Sequence, residues 1–421
     1  MKAFIISSVL FISISINTGY AQIIRGEEFL RDSIFINASP LFKNILAKAD
    51  TYKIQFIYTQ INRDKNNQIT YHTYSYHVDS SHYFYPASLV KMPLSAIALE
   101  KTADLKVHGV DKFTQIAFDS AFSCQSTLKT YKNPKQGYPS MGDFVKRMML
   151  ISDNESYSRA FEYCGQGYLH KRLLEMGYTG VRITHRFNPL CDSIENRYTN
   201  PLRFLGKKGE LLYKQEMQIS KEKLQNPLGK TIVGRSNIIE GKLIRQGRDF
   251  TFSNYLPLEK AHQMIQSILF PSSMPKRSRF NLSEEDYAFI RKYMRLYPRQ
   301  SEYEEYTLKK GYFDAWKKYL YYGRDTENIE NKNLRIYNVV GMSYGFLADC
   351  AYIADIEKNV DFFLSAVIYT NQSEIINSGN YEYQSIGLPF LKELGRLIYA
   401  YEIERKKEYN PELRKLLSEN Y

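Results

Sequence analysis

A serine and a lysine within residues 85–99 constrain the fold of this chain more than any other feature. The segment leaves a strand-like run and enters an apolar helix, in which Ser88 and Lys91 stand three residues apart. Residues at this spacing share one helix face, so the amine reaches the hydroxyl near the positive end of the helix. A lysine within a buried helix needs a polar partner or an altered pKa. The pattern S-x-x-K therefore predicts a serine nucleophile with a lysine base.

The spacing alone does not distinguish Ser88, because a chance pair on a solvated helix face gives the same pattern. Only Ser88 lies among consecutive apolar residues, which place its helix in the protein interior. Ser88 is therefore the candidate nucleophile of this type. The chain contains further matches at Ser126/Lys129, Ser220/Lys223 and Ser273/Lys276.

The first residues have the composition of an export signal. Lys2 precedes an apolar run over residues 3–16, and the small-residue site Gly19-Tyr20-Ala21 follows it. This pattern predicts a secretory signal peptide, residues 1–21, that is cleaved after Ala21. The run is too short for a transmembrane helix, and no later segment is apolar over the roughly 20 residues that a span needs. We expect an exported protein, periplasmic or secreted, without a membrane span.

Composition narrows the class of protein further. The chain of 421 residues is 43% hydrophobic and has a formal net charge of +12, which is spread along its length. A spread positive charge is typical of a soluble surface and leaves binding to an anionic wall polymer or membrane surface open. No nucleic-acid recognition motif accompanies the charge. The cysteines fit no zinc spacing, and their pairing stays open: Cys124, Cys164, Cys191 and Cys350.

Strand patterns lie at both ends of the chain, with helical periodicity between them. Residues 53–60 and 69–78 predict a hairpin, and a short third strand is predicted to end at 84–85. Residues 334–340, 345–356 and 361–370 predict a meander, followed by a closing helix around 391–401. Helices are predicted from Ser39-Pro40 to 49, over most of 88–176, and over 258–270, 282–297 and 311–322.

This distribution predicts an α+β fold. One antiparallel, five-stranded sheet would be built from both ends of the chain and flanked by the terminal helices, with an all-helical subdomain inserted after the second or third strand. We expect one catalytic domain over residues 22–421, in which 40–86 and 333–421 form the α/β part. The helical part, 87–332, includes a long insertion over 206–332. The site is expected in the crevice between the two parts, where the S-x-x-K serine enters the helical one.

A second motif, Ser152-Asp153-Asn154, follows in the helical part. The helix before it has a start signal in Ser140 and Asp143, and Gly165 is expected to end the helix after it. S-D-N therefore lies on a loop between two helices, where a hydroxyl and an amide can face a cleft. By itself this tripeptide indicates only a capping turn. The combination of S-D-N with S-x-x-K at a helix start arises by chance far less often than S-D-N alone.

In this order, the two motifs resemble those of the penicillin-recognising serine hydrolases, and most of all the class A β-lactamases. Residues 186–189 (R-F-N-P) and 197–201 (R-Y-T-N-P) are similar to the Ω-loop and its exit. Residues 339–346 resemble the strand that carries K-T-G in the family. The resemblance covers most of 40–205 and 333–405 and implies a β-lactamase/transpeptidase-like fold. The longer middle is similar to that of exported β-lactamase-like serine hydrolases.

The resemblance implies a role for each matching residue. Ser88 attacks the carbonyl of a β-lactam or peptidoglycan-type amide, Lys91 accepts its proton, and Ser152 passes a proton to the leaving nitrogen. Asn154 binds an amide of the substrate. The backbone N–H groups of Ser88 and Met342 form the oxyanion hole. The family implies no metal and no organic cofactor, and a monomer whose partner is a small-molecule or peptidoglycan-peptide substrate rather than nucleic acid.

Two departures from the family pattern alter the expected chemistry. Val339 and Val340 stand before Gly341, where K-T-G has the lysine and threonine that hold a substrate carboxylate and tune the serine of S-D-N. Asn188 stands where class A enzymes have the Ω-loop glutamate that activates the deacylating water. All of these positions belong to the expected substrate site. We expect slow acylation, a persistent acyl-enzyme, or neither step.

Several alternatives remain open at this point. The pair Lys230-Thr231, or Arg335 on the same strand as Val339, offers a substitute for the missing lysine. A non-catalytic protein of the same fold, serving as a cell-wall or partner-binding module, is the main rival reading. A Ser-His-Asp hydrolase is disfavoured because the histidines at 72, 77 and 82 are expected on or beside the hairpin rather than in a triad, and Leu224 occupies the first glycine position of a P-loop. The five-residue spacing of the histidines at 72, 77 and 82 would alternate strand faces and disfavours a metal site.

Overall fold

The computed structural model describes residues 23–128, 137–224 and 226–414, so the predicted signal peptide lies outside it. Among these residues, no helix combines the length and the apolarity needed to cross a membrane. The strands are β1 (Ile23–Arg25), β2 (Gln55–Arg63), β3 (Ile69–Tyr76), β4 (Gln115–Phe118), β5 (Leu202–Leu205), β6 (Leu211–Gln215), β7 (Ile232–Val233), β8 (Ser236–Ile239), β9 (Lys242–Ile244), β10 (Arg248–Asp249), β11 (Leu334–Ser343), β12 (Phe346–Asp355), β13 (Val360–Tyr369) and β14 (Ile375–Ile376). The α-helices are α1 (Glu27–Phe29), α2 (Pro40–Leu46), α3 (Lys91–Ala103), α4 (Met141–Ile151), α5 (Asn154–Glu175), α6 (Leu258–Leu269), α7 (Glu284–Arg295) and α8 (Leu388–Glu404).

A six-stranded sheet built from both ends of the chain forms the centre of the fold, in the order β1-β3-β2-β13-β12-β11. Strand β2 pairs with β3 as the predicted hairpin and with β13 from the far end of the chain. The meander of β11, β12 and β13 is antiparallel throughout. These five antiparallel strands confirm the predicted α+β fold. Strand β1, which pairs with β3 in parallel, adds a sixth.

Helices cover both faces of this sheet, so β12 and β13 are buried along their whole length. One face packs against α3 to α7, in the core that contains the helix of Lys91, and the other packs against the terminal helices α2 and α8. Ser39 caps α2, and its hydroxyl donates to Glu393 of α8 at 2.6 Å. Phe42 and Phe390 stack between the same two helices, with ring centres 4.9 Å apart. The terminal helices therefore flank the sheet as predicted.

The inserted part is not all-helical, which corrects one element of the predicted fold. Short strands pair there as β4-β5-β6 and β7-β10, and β8 and β9 join β14. The turn between β8 and β9 has two residues, Glu240 and Gly241, with φ of +50° and +77°. Two consecutive positive φ values match the twist of a tight hairpin. Residues 206–248 are polar and rich in glycine, so they offer no continuous apolar face for a helix.

Two local predictions also differ from the structure. Residues 84–85 form no strand, and 311–322 form successive turns rather than a helix. Lys317 and Lys318 are both buried in these turns and donate to backbone carbonyls of other elements. A regular helix would point two neighbouring side chains in different directions. Gly165, with a non-helical φ of +73°, separates two helical runs within α5, which agrees with its predicted role as a helix end.

Replacing Ser39 with alanine is expected to lower the free energy of unfolding by about 1–2 kcal/mol, because α2 loses its N-cap and Glu393 loses a charge-assisted donor. Urea unfolding measures the change. In a double-mutant cycle with Glu393→Ala the two losses should be non-additive. Additive losses would show that the cap acts without its partner on α8.

Candidate active site

Ser88 lies in a tight turn that leads into α3. A 3₁₀ turn over Ala87–Val90 precedes the helix, and Ala87 has a left-handed φ of +46°. Strand β11 passes so close to this turn that a Cβ at Gly341 would overlap the carbonyl oxygen of Pro86. The close approach therefore requires glycine at position 341. It also brings the next residue, Met342, to the wall of the cleft that Ser88 lines.

Lys91, the first residue of α3, connects the two sequence motifs. Its side chain is fully buried, and Nζ lies 2.9 Å from Ser88 Oγ, 3.0 Å from Ser152 Oγ and 2.8 Å from Asn154 Oδ1. The amine also donates to the backbone carbonyl of Ser152. The structure thus brings together the four side chains that the two motifs singled out.

Burial holds the pKa of Lys91 well below its ordinary value, because the ammonium loses its hydration. The negative charge of Asp153 opposes this shift, and the positive charge of Lys317 adds to it. Phe187 and Tyr157 cover the amine, with ring centres 5.4 and 6.0 Å from Nζ. An unprotonated amine in contact with two hydroxyls can accept a proton from either of them.

Two helix ends position the S-D-N motif. Ser152 is the C-cap of α4, with a left-handed φ of +63°, and Asp153 caps α5 by accepting the N–H of Ser156 at 2.7 Å. Asn154 is the first residue of α5. The predicted capping box at the start of α4 is present, so the local prediction of a loop between two helices is confirmed. Asp153 acts as a cap, whereas its two neighbours turn toward Lys91.

Buried ion pairs anchor the Ω-like loop to α5. Glu162 accepts hydrogen bonds from Arg159 and Arg186, each at 2.9 Å, and all three residues are buried. The hydroxyl of Ser158 accepts the backbone N–H groups of residues 187 and 188, at 3.1 and 3.0 Å. A buried charge without its partner is costly, so this network fixes the loop that covers Lys91.

A disulfide ties the same loop to the segment after β4. Cys124 and Cys191 are bonded, with Cα atoms 5.9 Å apart, whereas Cys164 and Cys350 are buried thiols. Cys191 lines the cleft beside Ser88. The bond therefore restrains the outer wall of the cleft, and it settles a pairing that the sequence left open.

Three of the predicted substrate-binding residues do not present their side chains to the cleft. Asn188 is exposed and is not among the residues that line it. Val339 and Val340 are buried in the cores on opposite faces of the sheet. Adjacent strand residues point to opposite faces, so the two valines could not both face one site. From this strand, Met342 reaches the cleft.

Neither substitute that the sequence offered for the missing lysine reaches the cleft. Lys230 and Thr231 line a separate cavity of about 720 Å³, together with His77. Arg335 pairs with Ala354 near the other end of β11. Six residues of extended strand separate it from Gly341, which is roughly 20 Å.

The cleft beside Ser88 has a volume of about 870 Å³ and draws residues from the Ω-like loop, β11 and the insertion. Sequence analysis missed Arg248, Phe250 and Tyr344, which all line it. The guanidinium of Arg248 lies 4.7 Å from the ring centre of Tyr344 and 5.5 Å from that of Phe250. The available signal was a basic residue near an aromatic one in a polar segment, a pattern too common to single out.

Comparisons with known proteins agree with the motifs. A sequence model of the beta-lactamase enzyme family matches residues 39–232, whereas no curated protein matches the chain. Solved structures similar to it include a beta-lactamase from Sphaerobacter thermophilus DSM 20745 (10% identity, 87% of this chain and 98% of that chain, TM-score 0.44). Others are a class A beta-lactamase from Clostridium kluyveri DSM 555 (10%, 87% and 99%, 0.47) and a beta-lactamase from Streptomyces albus G (7%, 85% and 99%, 0.42).

The segment matched by the family contains S-x-x-K, S-D-N and the Ω-like loop. The part of the chain that contains both motifs and the Ω-like loop is therefore similar to the beta-lactamase enzyme family, as the resemblance of the motifs indicated.

Replacing Glu162 with glutamine is expected to lower the free energy of unfolding by about 3–5 kcal/mol, because Arg159 and Arg186 remain buried without a full counter-charge. Urea unfolding provides the measurement. Glu175→Gln, on the same helix, is the matched control: its half-exposed carboxylate lies 3.8 Å from Arg172, and its loss should stay below about 1 kcal/mol. Equal losses in the two variants would contradict the anchoring role of the buried network.

Proposed function

We propose that this protein is a serine acyl-transfer enzyme that opens an amide or β-lactam through an acyl-Ser88 intermediate. One observation carries the proposal. The fully buried amine of Lys91 lies within hydrogen-bond distance of both Ser88 and Ser152, and its pKa is held well below the ordinary value by burial. A buried unprotonated amine between two hydroxyls is the arrangement that activates a serine and returns its proton to a leaving group.

In the first half of the reaction, Lys91 Nζ takes the proton of Ser88 Oγ across 2.9 Å as Oγ attacks the carbonyl carbon. The carbonyl oxygen becomes an oxyanion, which the backbone N–H groups of Ser88 and Met342 stabilise. One such donor contributes roughly 3–4 kcal/mol to the transition state. The C–N bond then breaks: the leaving nitrogen takes the proton of Ser152 Oγ, and Lys91 returns a proton to Ser152 across 3.0 Å.

Hydrolysis of the acyl-enzyme needs a group that activates water. The Ω-like loop offers Asn188 at the position of the family's glutamate, and the amide side chain of asparagine is not a base at neutral pH. Its backbone N–H is bound by Ser158, and its side chain is exposed. We therefore expect the acyl-enzyme to form and to persist.

The cleft favours a substrate with an anionic group next to the scissile amide. Arg248 lines the cleft, and the rings of Tyr344 and Phe250 orient its guanidinium. It forms no ion pair with the described residues, and guanidinium groups bind carboxylates in a two-point geometry. The exposed apolar side chains of Leu190 and Phe252 line the same cleft and suit an apolar acyl group. β-Lactams and peptidoglycan peptides both carry such a carboxylate.

A second candidate function is a binding module without turnover. It is favoured by one observation: the side chains of Val339 and Val340 are apolar and buried where the family has a lysine and a threonine. In either case we propose that the protein works outside the cytoplasm. The disulfide between Cys124 and Cys191 supports this location, because such bonds persist in oxidising compartments.

Intact-mass spectrometry after incubation with several penicillins and cephalosporins tests the acyl-Ser88 intermediate. We expect a mass increase equal to one β-lactam, stable over hours because water activation is weak, and absent in Ser88→Ala. No adduct with any β-lactam, together with no turnover of peptidoglycan peptides or simple esters, would leave the binding module as the remaining function.

Arg248→Ala is expected to raise the β-lactam concentration needed for half-maximal acylation at least tenfold, since the substrate carboxylate loses a charge-assisted partner that contributes about 1.5–3 kcal/mol. Acylation by the methyl ester of the same β-lactam should respond much less. Arg245→Ala, an exposed neighbour outside the cleft, serves as the control. An equal effect on the acid and on its ester would contradict carboxylate binding by Arg248.

A further inference from the structure

A segment of the insertion, residues 316–318, packs against the end of α4 directly before Ser152. The indole N–H of Trp316 donates to the backbone carbonyl of Ile151 at 3.2 Å. The ammonium of Lys317 donates to the backbone carbonyl of Met149 and is buried. The last carbonyls of a helix lack partners within the helix and attract positive charge. Segment 316–318 therefore caps the helix end that carries the serine of S-D-N.

The same segment is fixed on its other side to β11. This strand has Val339 and Val340 before Gly341, where the family has the lysine and threonine of K-T-G. Asn338, the residue before Val339, donates from Nδ2 to the backbone carbonyl of Lys317 at 2.5 Å. Lys318 donates to the backbone carbonyl of Ile336 at 2.7 Å and to Asn338 Oδ1 at 2.8 Å. Lys317 is therefore held between the strand that lacks a lysine and the loop that carries Ser152.

Lys317 also acts on Lys91 through its charge. It lowers the pKa of Lys91, in addition to burial, whereas Asp153 raises that pKa. Burial lowers the pKa of Lys317 itself to about 7, opposed by Asp349 on β12. The neighbouring Lys318 is bonded to backbone carbonyls and Asn338, and it is not among the charges that shift Lys91. The titratable groups beside Lys91 and Lys317 are thus Asp153, Asp349 and Lys318, and burial together with the charge of Lys317 holds the pKa of Lys318 well below its ordinary value.

We propose that Lys317, supplied by the insertion, is the positioning residue that replaces the lysine missing before Gly341: held against β11, it fixes the end of α4 and thereby Ser152, next to Lys91. This inference rests on the proposed function, because it assigns Lys317 a part in the acylation of Ser88. It also gives the insertion a role in the site. The strand can carry valine at 339 because the ammonium arrives from a different segment.

The pH dependence of acylation tests this role. The rate of Ser88 labelling by a fluorescent penicillin should fall at low pH as Lys91 becomes protonated. Removing the charge of Lys317 removes an influence that lowers the pKa of Lys91, so this fall should move to higher pH in Lys317→Met. We expect the variant to be labelled more slowly than the wild type at any pH below both transitions. At high pH the rate should recover toward that of the wild type.

Lys318→Met is the matched control, because it removes an adjacent lysine that is equally buried but is not among the charges that shift the pKa of Lys91. Its pH profile should coincide with that of the wild type, even if thermal unfolding shows a loss of stability. Lys317→Arg retains the positive charge, so it should keep the low-pH transition at or below its wild-type position. If Lys317→Met does not fold, Lys317→Arg provides the test. An upward shift of the low-pH transition in a folded arginine variant would contradict the proposed role of Lys317.

A second measurement separates this inference from the proposed function. NMR of ¹³C-labelled lysine side chains, with the Lys91 signal assigned by Lys91→Arg, reports the titration of Lys91 without any substrate. The Lys91 midpoint should rise in Lys317→Met and stay unchanged in Lys318→Met. If the wild type forms no adduct but these midpoints differ as stated, the proposed function fails and the action of Lys317 on Lys91 stands. If the wild type is acylated and neither measurement distinguishes Lys317→Met from the control, only the Lys317 role fails.

Discussion

The burial of a single amine organises this structure. Lys91 cannot be removed from water as an unpartnered cation, since the cost would exceed the stability of most folds. Its neighbourhood meets that constraint with two hydroxyls, an amide oxygen and a backbone carbonyl, drawn from the start of α3 and the junction of α4 and α5. The same contacts that make burial tolerable place the amine where it can move protons. Structure and chemistry therefore depend on one set of hydrogen bonds.

The insertion contributes residues to the candidate site. It contributes Arg248 and Phe250 to the wall of the cleft, and its segment 316–318 lies against the end of α4. In the family pattern the lysine and threonine of K-T-G hold the substrate carboxylate and tune the serine of S-D-N. Here Arg248 lines the cleft and Lys317 donates to a carbonyl near the end of α4, and both residues come from the insertion. A change at Val339 is thus compatible with an otherwise intact arrangement around Ser88.

The sequence predicted the parts of the fold that short-range rules determine. The hairpin of β2 and β3, the cap at Ser39 and the capping box before S-D-N follow from periodicity and local hydrogen bonding, and all are present. The motifs also singled out Ser88, Lys91, Ser152 and Asn154, whose side chains the structure places in contact. The positions of Lys317 and Arg248 could not be predicted from the sequence, because they depend on tertiary contacts of irregular segments. Neither residue spacing nor hydrophobic periodicity carries information about such contacts. Lys317 lies within 311–322, where the sequence predicts a regular helix, so its buried position does not follow from the pattern.

The strand order of the central sheet has a consequence for the stage at which the chain can fold. Tyr58 on β2 lies opposite Leu364 on β13, so the middle of the sheet forms only when the two ends of the chain meet. Closing so large a loop has a high entropic cost, and contacts this distant in sequence slow folding. Almost the whole polypeptide must be available before the core is sealed. This topology therefore delays completion of the sheet until both β2 and β13 are available to pair.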